Sequence, residues 1–338
     1  MNSLAIPESV QLKVLETRAL NPLIRVLRLG RPDGAALPAW SPGAHIQVQV
    51  RLPDESADWR HYSLIDLQGM TARSGFTPGD YTIAVRLEEN GRGGSRFMHE
   101  RLRAGDPILA RSPKNDFPLR LDGGGVTTLL AGGIGITPLA SMAAYCRAQG
   151  HAVRLHYAGR SRALMAFVDE LRSLLGDDLR IHSDEESAGG VFDVGALLDS
   201  MGTDGRLFVC GPKPMLDAVL AASQARGWSQ GVLGRVHFEL FSEPVAEAGD
   251  RPFEVTLAQS GKTFTVAANQ TLLDGLIKHG CDPLFDCKRG ECGVCAAPVI
   301  EGEIDHRDYV LTASEKEAGN VIQTCVSRAK GARLVLDM

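Results

Sequence analysis

The chain has 338 residues with a formal net charge of −5 and 44% hydrophobic residues. That length exceeds what one core usually carries, so two or three domains are expected. No long basic run marks it for nucleic acid, no apolar span reaches the ~18 residues of a membrane helix, and MNSLAIPESVQLKV lacks the basic-then-apolar pattern of a secretory leader, so a cytoplasmic protein without nucleic-acid or membrane partners is expected.

Residues 1–120 read as an antiparallel β-barrel. HIQVQVRL (45–52) and YTIAVRLEE (81–89) alternate with period two between Gly, Pro and Asp. Arg60-His61-Tyr62-Ser63-Leu64 closes one β-rich stretch, and 28 residues on comes Gly91-Arg92-Gly93-Gly94-Ser95, ahead of a helix predicted over Arg96–Arg101. A glycine loop opening a helix presents free N–H groups to a phosphate. By itself that loop could be a plain tight turn. The two motifs in this order point to a flavin. Arg60 neutralises phosphate charge, with Gly93, Gly94 and Ser95 as the phosphate loop. Tyr62 offers a face to the isoalloxazine, and Ser63 hydrogen-bonds N5, the atom that accepts hydride.

Residues 121–241 read as an α/β doubly wound domain. VTTLLAGG (126–133) is continuously apolar, as a parallel strand covered on both faces must be. A helix is predicted to follow, with Thr137 as N-cap, Pro138 at the first helical position and Gly150 at the end. Strands are predicted at 154–159, 179–184 and 206–211, with helices near 162–175, 193–201 and 213–226. Gly132, Gly133 and Gly135, just ahead of Thr137, let a pyrophosphate approach a helix N-terminus, although AGGIGITP departs from the dinucleotide fingerprint. Cys210-Gly211-Pro212 ends another strand at the same carboxyl edge, where ligands of such sheets bind, and Arg160 faces the adenosine side. Arg160-Ser161-Arg162 leaves the choice between NADH and NADPH open, since no acidic partner for a ribose is evident nearby.

Residues 242–251 are small and polar and read as a linker. The last segment, 252–338, predicts an α+β domain with a hairpin around Ser260-Gly261 and a short helix between Thr271 and Gly280. Five of the seven cysteines fall in this last quarter. Cys287, Cys292 and Cys295 have the spacing C-x4-C-x2-C, and Cys325 follows 30 residues later. This is the plant-type spacing for a [2Fe–2S] cluster. Gly290 and Gly293 permit the turns that wrap it. A structural zinc site is the alternative, but zinc usually pairs two C-x2-C knuckles. Cys281 and Cys146 read as packed thiols.

From residue 10 to 338 the sequence resembles the phthalate dioxygenase reductase family, which includes vanillate demethylase reductases: RHYSL, GRGGS, AGGIGITP, VCGP, HFELF, the cysteine set, DHRDYVLTASEK (305–316) and CVSRAK (325–330) occur in that family's order. The resemblance implies FMN in the barrel, NADH on the α/β domain and a C-terminal β-grasp ferredoxin domain. It also implies that Phe241 covers the flavin and that Cys210 lies near the nicotinamide. The implied activity is electron transfer from NADH through FMN and the cluster to a terminal oxygenase, most often Rieske-type, by a monomer. A quinone, dehalogenase or other acceptor is the alternative. Lys288, Arg289 and Glu291 between the ligands predict a small polar exit surface steered by Arg289.

Overall fold

The computed structural model describes residues 9–121, 124–186, 192–230, 234–241 and 246–338, so residues 242–245 of the predicted linker lie outside it. Alternation in the first third becomes six antiparallel strands: β1 (Ser9–Asn21), β2 (Ile24–Gly30), β3 (His45–Arg51), β4 (Ala57–Ser63), β5 (Asp80–Arg86) and β6 (Pro107–Arg111). Their order is β4-β3-β6-β1-β2-β5. Every second residue of β3, Ile46, Val48 and Val50, points into the barrel core with Leu12, Leu27, Leu29 and Ile83. Just past β4, the Ile65 amide donates to the Thr82 carbonyl at 2.9 Å, bringing the two edge strands together. The GRGGS segment runs into a short helix, α1 (Gly94–Arg96), and a π-turn (Phe97–Arg101) whose Met98 is fully buried in the barrel core.

Continuous apolar runs become five parallel strands: β7 (Thr127–Gly132), β8 (Val153–Gly159), β9 (Leu179–Ser183), β10 (Arg206–Cys210) and β11 (Val236–Glu239), in the order β11-β10-β7-β8-β9. The helices between them are α2 (Ile136–Ala148), α3 (Val168–Leu175), α4 (Val194–Asp199) and α5 (Lys213–Ala225). Strand order reverses between β7 and β10, which creates a crevice at their carboxyl ends. Two local readings are corrected. Thr137 is not the N-cap: a 3₁₀ turn over Gly133–Gly135 runs directly into α2, and the Thr137 hydroxyl donates back to the Ile134 carbonyl at 3.1 Å. The predicted helix at 162–175 is broken, because Phe167 adopts φ 59° immediately before α3.

By Cα proximity the chain divides into two units, Met1–Glu239 and Leu240–Met338. Within the first, barrel and parallel sheet share α2. The buried Ser141 hydroxyl donates to the Leu64 carbonyl at 2.9 Å and accepts from the Asp66 amide at 2.8 Å.

The second unit is a β-grasp. Its strands are β12 (Phe253–Leu257), β13 (Thr263–Val266), β14 (Ala296–Glu301), β15 (Ile304–Asp305), β16 (Val321–Gln323), β17 (Arg328–Ala329) and β18 (Arg333–Leu336). The main sheet is ordered β13-β12-β18-β14-β16, with β12 and β18 parallel, while β15 pairs with β17. Helix α6 (Leu272–Lys278) is capped by Thr271, which accepts from the Asp274 amide, and a second helix, α7 (Ala313–Ala318), carries a Thr312/Glu315 capping box. Asp250, at the end of the predicted linker, is held by Arg307 at 2.5 Å and lies 3.7 Å from Arg328.

Candidate functional site

The two flavin motifs meet on the barrel. Arg60 lies on β4 opposite Val48, with its guanidinium on the Asp58 carboxylate at 2.5 Å. A Cβ on Gly94 would sit 3.1 Å from Arg60 Nε, so the arginine packs directly over the glycine loop. Gly93 has φ 100° and could not carry a Cβ without meeting Pro53 at 2.6 Å. The Ser95 hydroxyl accepts from the Glu88 amide at 3.0 Å, which fastens the loop to the end of β5. Burial pushes the Tyr62 hydroxyl well above its ordinary range. Ser63 is 4% exposed and its hydroxyl has no hydrogen-bond partner among the described residues. A buried orphan hydroxyl is costly unless a ligand completes it, and a flavin ring on this face would offer Ser63 such a partner. The residues present fit FMN.

At the crevice between β7 and β10, three glycines press the two strand ends together. A Cβ on Gly135 would lie 2.1 Å from the Cys210 carbonyl oxygen, one on Gly132 2.6 Å from Pro212 Cδ, and one on Gly211 3.1 Å from Gly132 Cα. Gly133, by contrast, faces open space. The start of α2 and the start of α5, whose N-cap is Pro212, therefore converge on one edge. Cys210 is fully buried at the end of β10.

Arg160 follows β8 and is exposed. Next to it the structure reveals what the sequence reading missed. Glu186 grips Arg162 through two hydrogen bonds, at 3.0 and 2.8 Å. The Glu185 amide donates to the Arg160 carbonyl at 3.1 Å. The acidic run 184–186 was visible in the sequence, but only the pairing of β8 with β9 brings it beside Arg160 and Arg162. One of the two cations that suggested a 2′-phosphate is already matched by a carboxylate, which suits NADH.

In the second unit the four predicted thiols gather under one loop. Cys295 Sγ lies 3.2 Å from Cys325 Sγ and 3.3 Å from Gln323 Oε1, and the Arg289 amide donates to Cys287 Sγ at 3.3 Å. Hydrogen bonds shared with Cys292 and Cys325 pull the Cys287 thiol down, and the bond with Cys325 lowers Cys295 to about 7. The bond with Cys287 pushes Cys292 and Cys325 up. Lys288, Gly290 and Gly293 all have positive φ, and a Cβ on Gly290 would meet Val326 at 2.8 Å. The buried Asp308 shapes the turn beside the loop, accepting from the Val310 and Leu311 amides at 3.2 and 2.8 Å, and from that turn the Tyr309 amide donates to the Gly290 carbonyl at 3.0 Å. Four thiols in one small-residue cradle with N–H groups on the sulfurs fit a [2Fe–2S] cluster. Phe241 is the second residue of the second unit, two residues past β11, and is partly buried.

The steering role predicted for Arg289 is corrected. Arg289 is 7% exposed and pairs with Glu291 at 3.4 Å, so it cannot steer a partner. Beside the cysteines the exposed large hydrophobic residues are Leu284, Phe285, Val294 and Val310, and among them the exposed Lys288 holds its ammonium 4.7 Å from the Phe285 ring centre. Backbone turns on either side of Arg289 point it inward and leave Lys288 outside, among apolar neighbours.

Residues 255–330 match the 2Fe-2S iron-sulfur cluster binding domain family. The toluene-4-sulfonate monooxygenase system reductase subunit of Comamonas testosteroni is 37% identical over 97% of this chain and 99% of the relative. The crystal structure of phthalate dioxygenase reductase superposes with a TM-score of 0.71 at 34% identity, covering 98% of each chain. This chain belongs to the phthalate dioxygenase reductase family. The reductase is an NADH-dependent flavin and iron–sulfur oxidoreductase, with FMN, NADH and a [2Fe–2S] cluster as its cofactors. Tetrachlorobenzoquinone reductase of Sphingobium chlorophenolicum is also similar, 38% identical over 91% of this chain and 92% of the relative.

Proposed function

We propose that this reductase is a monomeric cytoplasmic electron donor to a Rieske-type oxygenase, with residues 1–120 holding FMN, 121–241 NADH and 252–338 the cluster. When bound, FMN takes the two electrons of a hydride and releases them singly, and a [2Fe–2S] cluster carries one at a time. In this reading Arg60 and the Gly93-Gly94-Ser95 loop hold the phosphate, Tyr62 lies against the ring, and Ser63 donates to N5. Gly132, Gly133, Gly135, Thr137, Gly211 and Pro212 shape the pyrophosphate seat, Arg160 borders the adenosine, and Cys210 and Phe241 border the nicotinamide and flavin.

One observation carries the acceptor. Cys292 is only partly buried, whereas Cys287, Cys295 and Cys325 are 5%, 5% and 2% exposed, so the last carrier meets the surface at Cys292. A rim of exposed Leu284, Phe285, Val294 and Val310 with one cation, Lys288, suits another protein more than a small polar substrate. Among the described residues no helix is long and apolar enough to cross a membrane. A quinone acceptor is favoured as the second reading by the likeness to a quinone reductase. The test is stopped-flow mixing of NADH-reduced enzyme with a purified Rieske oxygenase or with a benzoquinone. Rapid bleaching of the Rieske centre, saturating with its concentration, supports the proposal. Fast quinone reduction with a silent Rieske centre overturns it.

A further inference from the structure

We propose that Glu291 is a positioning residue of the cluster loop with two simultaneous tasks: it balances the Arg289 guanidinium inside the loop, and it latches the backbone amide of Leu240 to that loop. This rests on reading Cys287, Cys292, Cys295 and Cys325 as a one-electron cluster site.

Arg289 stands between the first two ligands, and its own amide touches Cys287 Sγ. Its side chain is 6% exposed. A guanidinium keeps its charge at any working pH, so a permanent cation lies buried within the ligand loop. Glu291 follows two residues later, with its side chain 13% exposed. One carboxylate oxygen, Oε2, lies 3.4 Å from Arg289 Nε. The other, Oε1, accepts from the Leu240 amide at 2.5 Å. The two oxygens of one side chain therefore meet two different groups, one a charge and one a backbone donor. Local conformation makes this possible. Lys288 at φ 55° and Gly290 at φ 78° flank Arg289 and reverse the chain twice, which turns Arg289 inward and brings Glu291 beside it.

The two tasks have separable consequences. Reduction adds one negative charge within the ring of thiolates, so a nearby cation favours the reduced state and a nearby carboxylate opposes it. The latch holds the residue that opens the second unit, one position before Phe241.

The test uses the full-length holoenzyme and three variants: Glu291→Gln, Glu291→Ala and Arg289→Gln. Two quantities are read, the midpoint potential of the cluster by spectroelectrochemistry and hydrogen exchange at the Leu240 amide. Glutamine keeps an acceptor oxygen and drops the charge, so E291Q raises the potential while Leu240 stays protected. E291A raises the potential and speeds Leu240 exchange at least tenfold. R289Q lowers the potential. An unchanged or lowered potential in E291Q overturns the charge task, and wild-type Leu240 protection in E291A overturns the latch. If the wild-type protein binds no cluster, the electron-carrier reading fails by itself, and Leu240 exchange still decides the latch.

Discussion

In the cluster loop Gly290 and Gly293 carry φ of 78° and 76°, whereas at the nucleotide edge Gly132 and Gly135 have φ of −118° and −61°. The first pair is needed for backbone conformation, since a left-handed turn is strained for other residues. The second pair is needed for space, since a Cβ at Gly135 would lie 2.1 Å from a carbonyl oxygen. One region wraps a ligand by bending, and the other presses two strand ends together so that helix starts converge. Strain at a turn is a local cost, while a backbone clash between the turn after β7 and the end of β10 must be relieved by moving a helix start or a strand end.

The sharpest test of that contrast removes a ligand. Cys292→Ala is expected to abolish the cluster completely while NADH still bleaches the flavin, because the two sites lie in different units. Iron analysis and visible spectra check it, and retention of two irons per chain would contradict it. Next come the glycines. Gly135→Ala is expected to destabilise the first unit by about 3 kcal/mol, with flavin loss but an intact cluster. Gly290→Ala should cost about 1–2 kcal/mol, since Val326 can shift, and should lower cluster occupancy alone. Denaturant unfolding followed by flavin and cluster absorbance separates them, and equal costs would erase the distinction between bending and space.

A third prediction concerns the second unit alone. The hydrogen bond to Arg307 holds Asp250 at about 2, below its ordinary 3.8. A carboxylate whose folded value is depressed contributes stability above the unfolded value and loses it as pH falls through the folded one. Asp250→Asn should therefore cost about 2 kcal/mol at pH 7, and the difference from wild type should shrink between about pH 4 and pH 2. Chemical unfolding followed by far-UV circular dichroism across that range measures it, and a pH-independent difference would argue for lost packing instead.

The smaller effects belong to the first unit. Ser63→Ala should slow NADH-driven flavin bleaching about 3–10-fold, the worth of one hydrogen bond, with FMN still bound at full stoichiometry. A wild-type rate would remove Ser63 from the hydride step. Glu186→Gln should release Arg162 and raise the NADPH-to-NADH ratio of kcat/KM about 2–5-fold, as expected for an exposed pair. No change in that ratio would show that Arg162 lies away from the 2′ position.

These contrasts track what could be read in advance. The gathering of the four thiols was legible because three of them lie within nine positions, 287–295, where spacing alone restricts the metal chemistry. The strands were legible because burial on one face or two leaves distinct periods. The start of α2 was misplaced because Thr137-Pro138 is a good local cap signal, yet the 3₁₀ turn before it was already helical. Arg289 was misread because charge in a sequence suggests solvent, and only its neighbours' φ values show that it turns inward.

By itself the sequence determined the order of the elements, the four thiols and the two flavin motifs, since each depends on residues a few positions apart. Tertiary structure decided the rest: that Arg60 packs over Gly94, that Gly135 presses on Cys210, that Glu186 answers Arg162 across 24 positions, and that Ser63 is left with an unmet hydroxyl. These depend on which strands become neighbours. Strand pairing is set by burial of the whole core, which no short window of sequence contains.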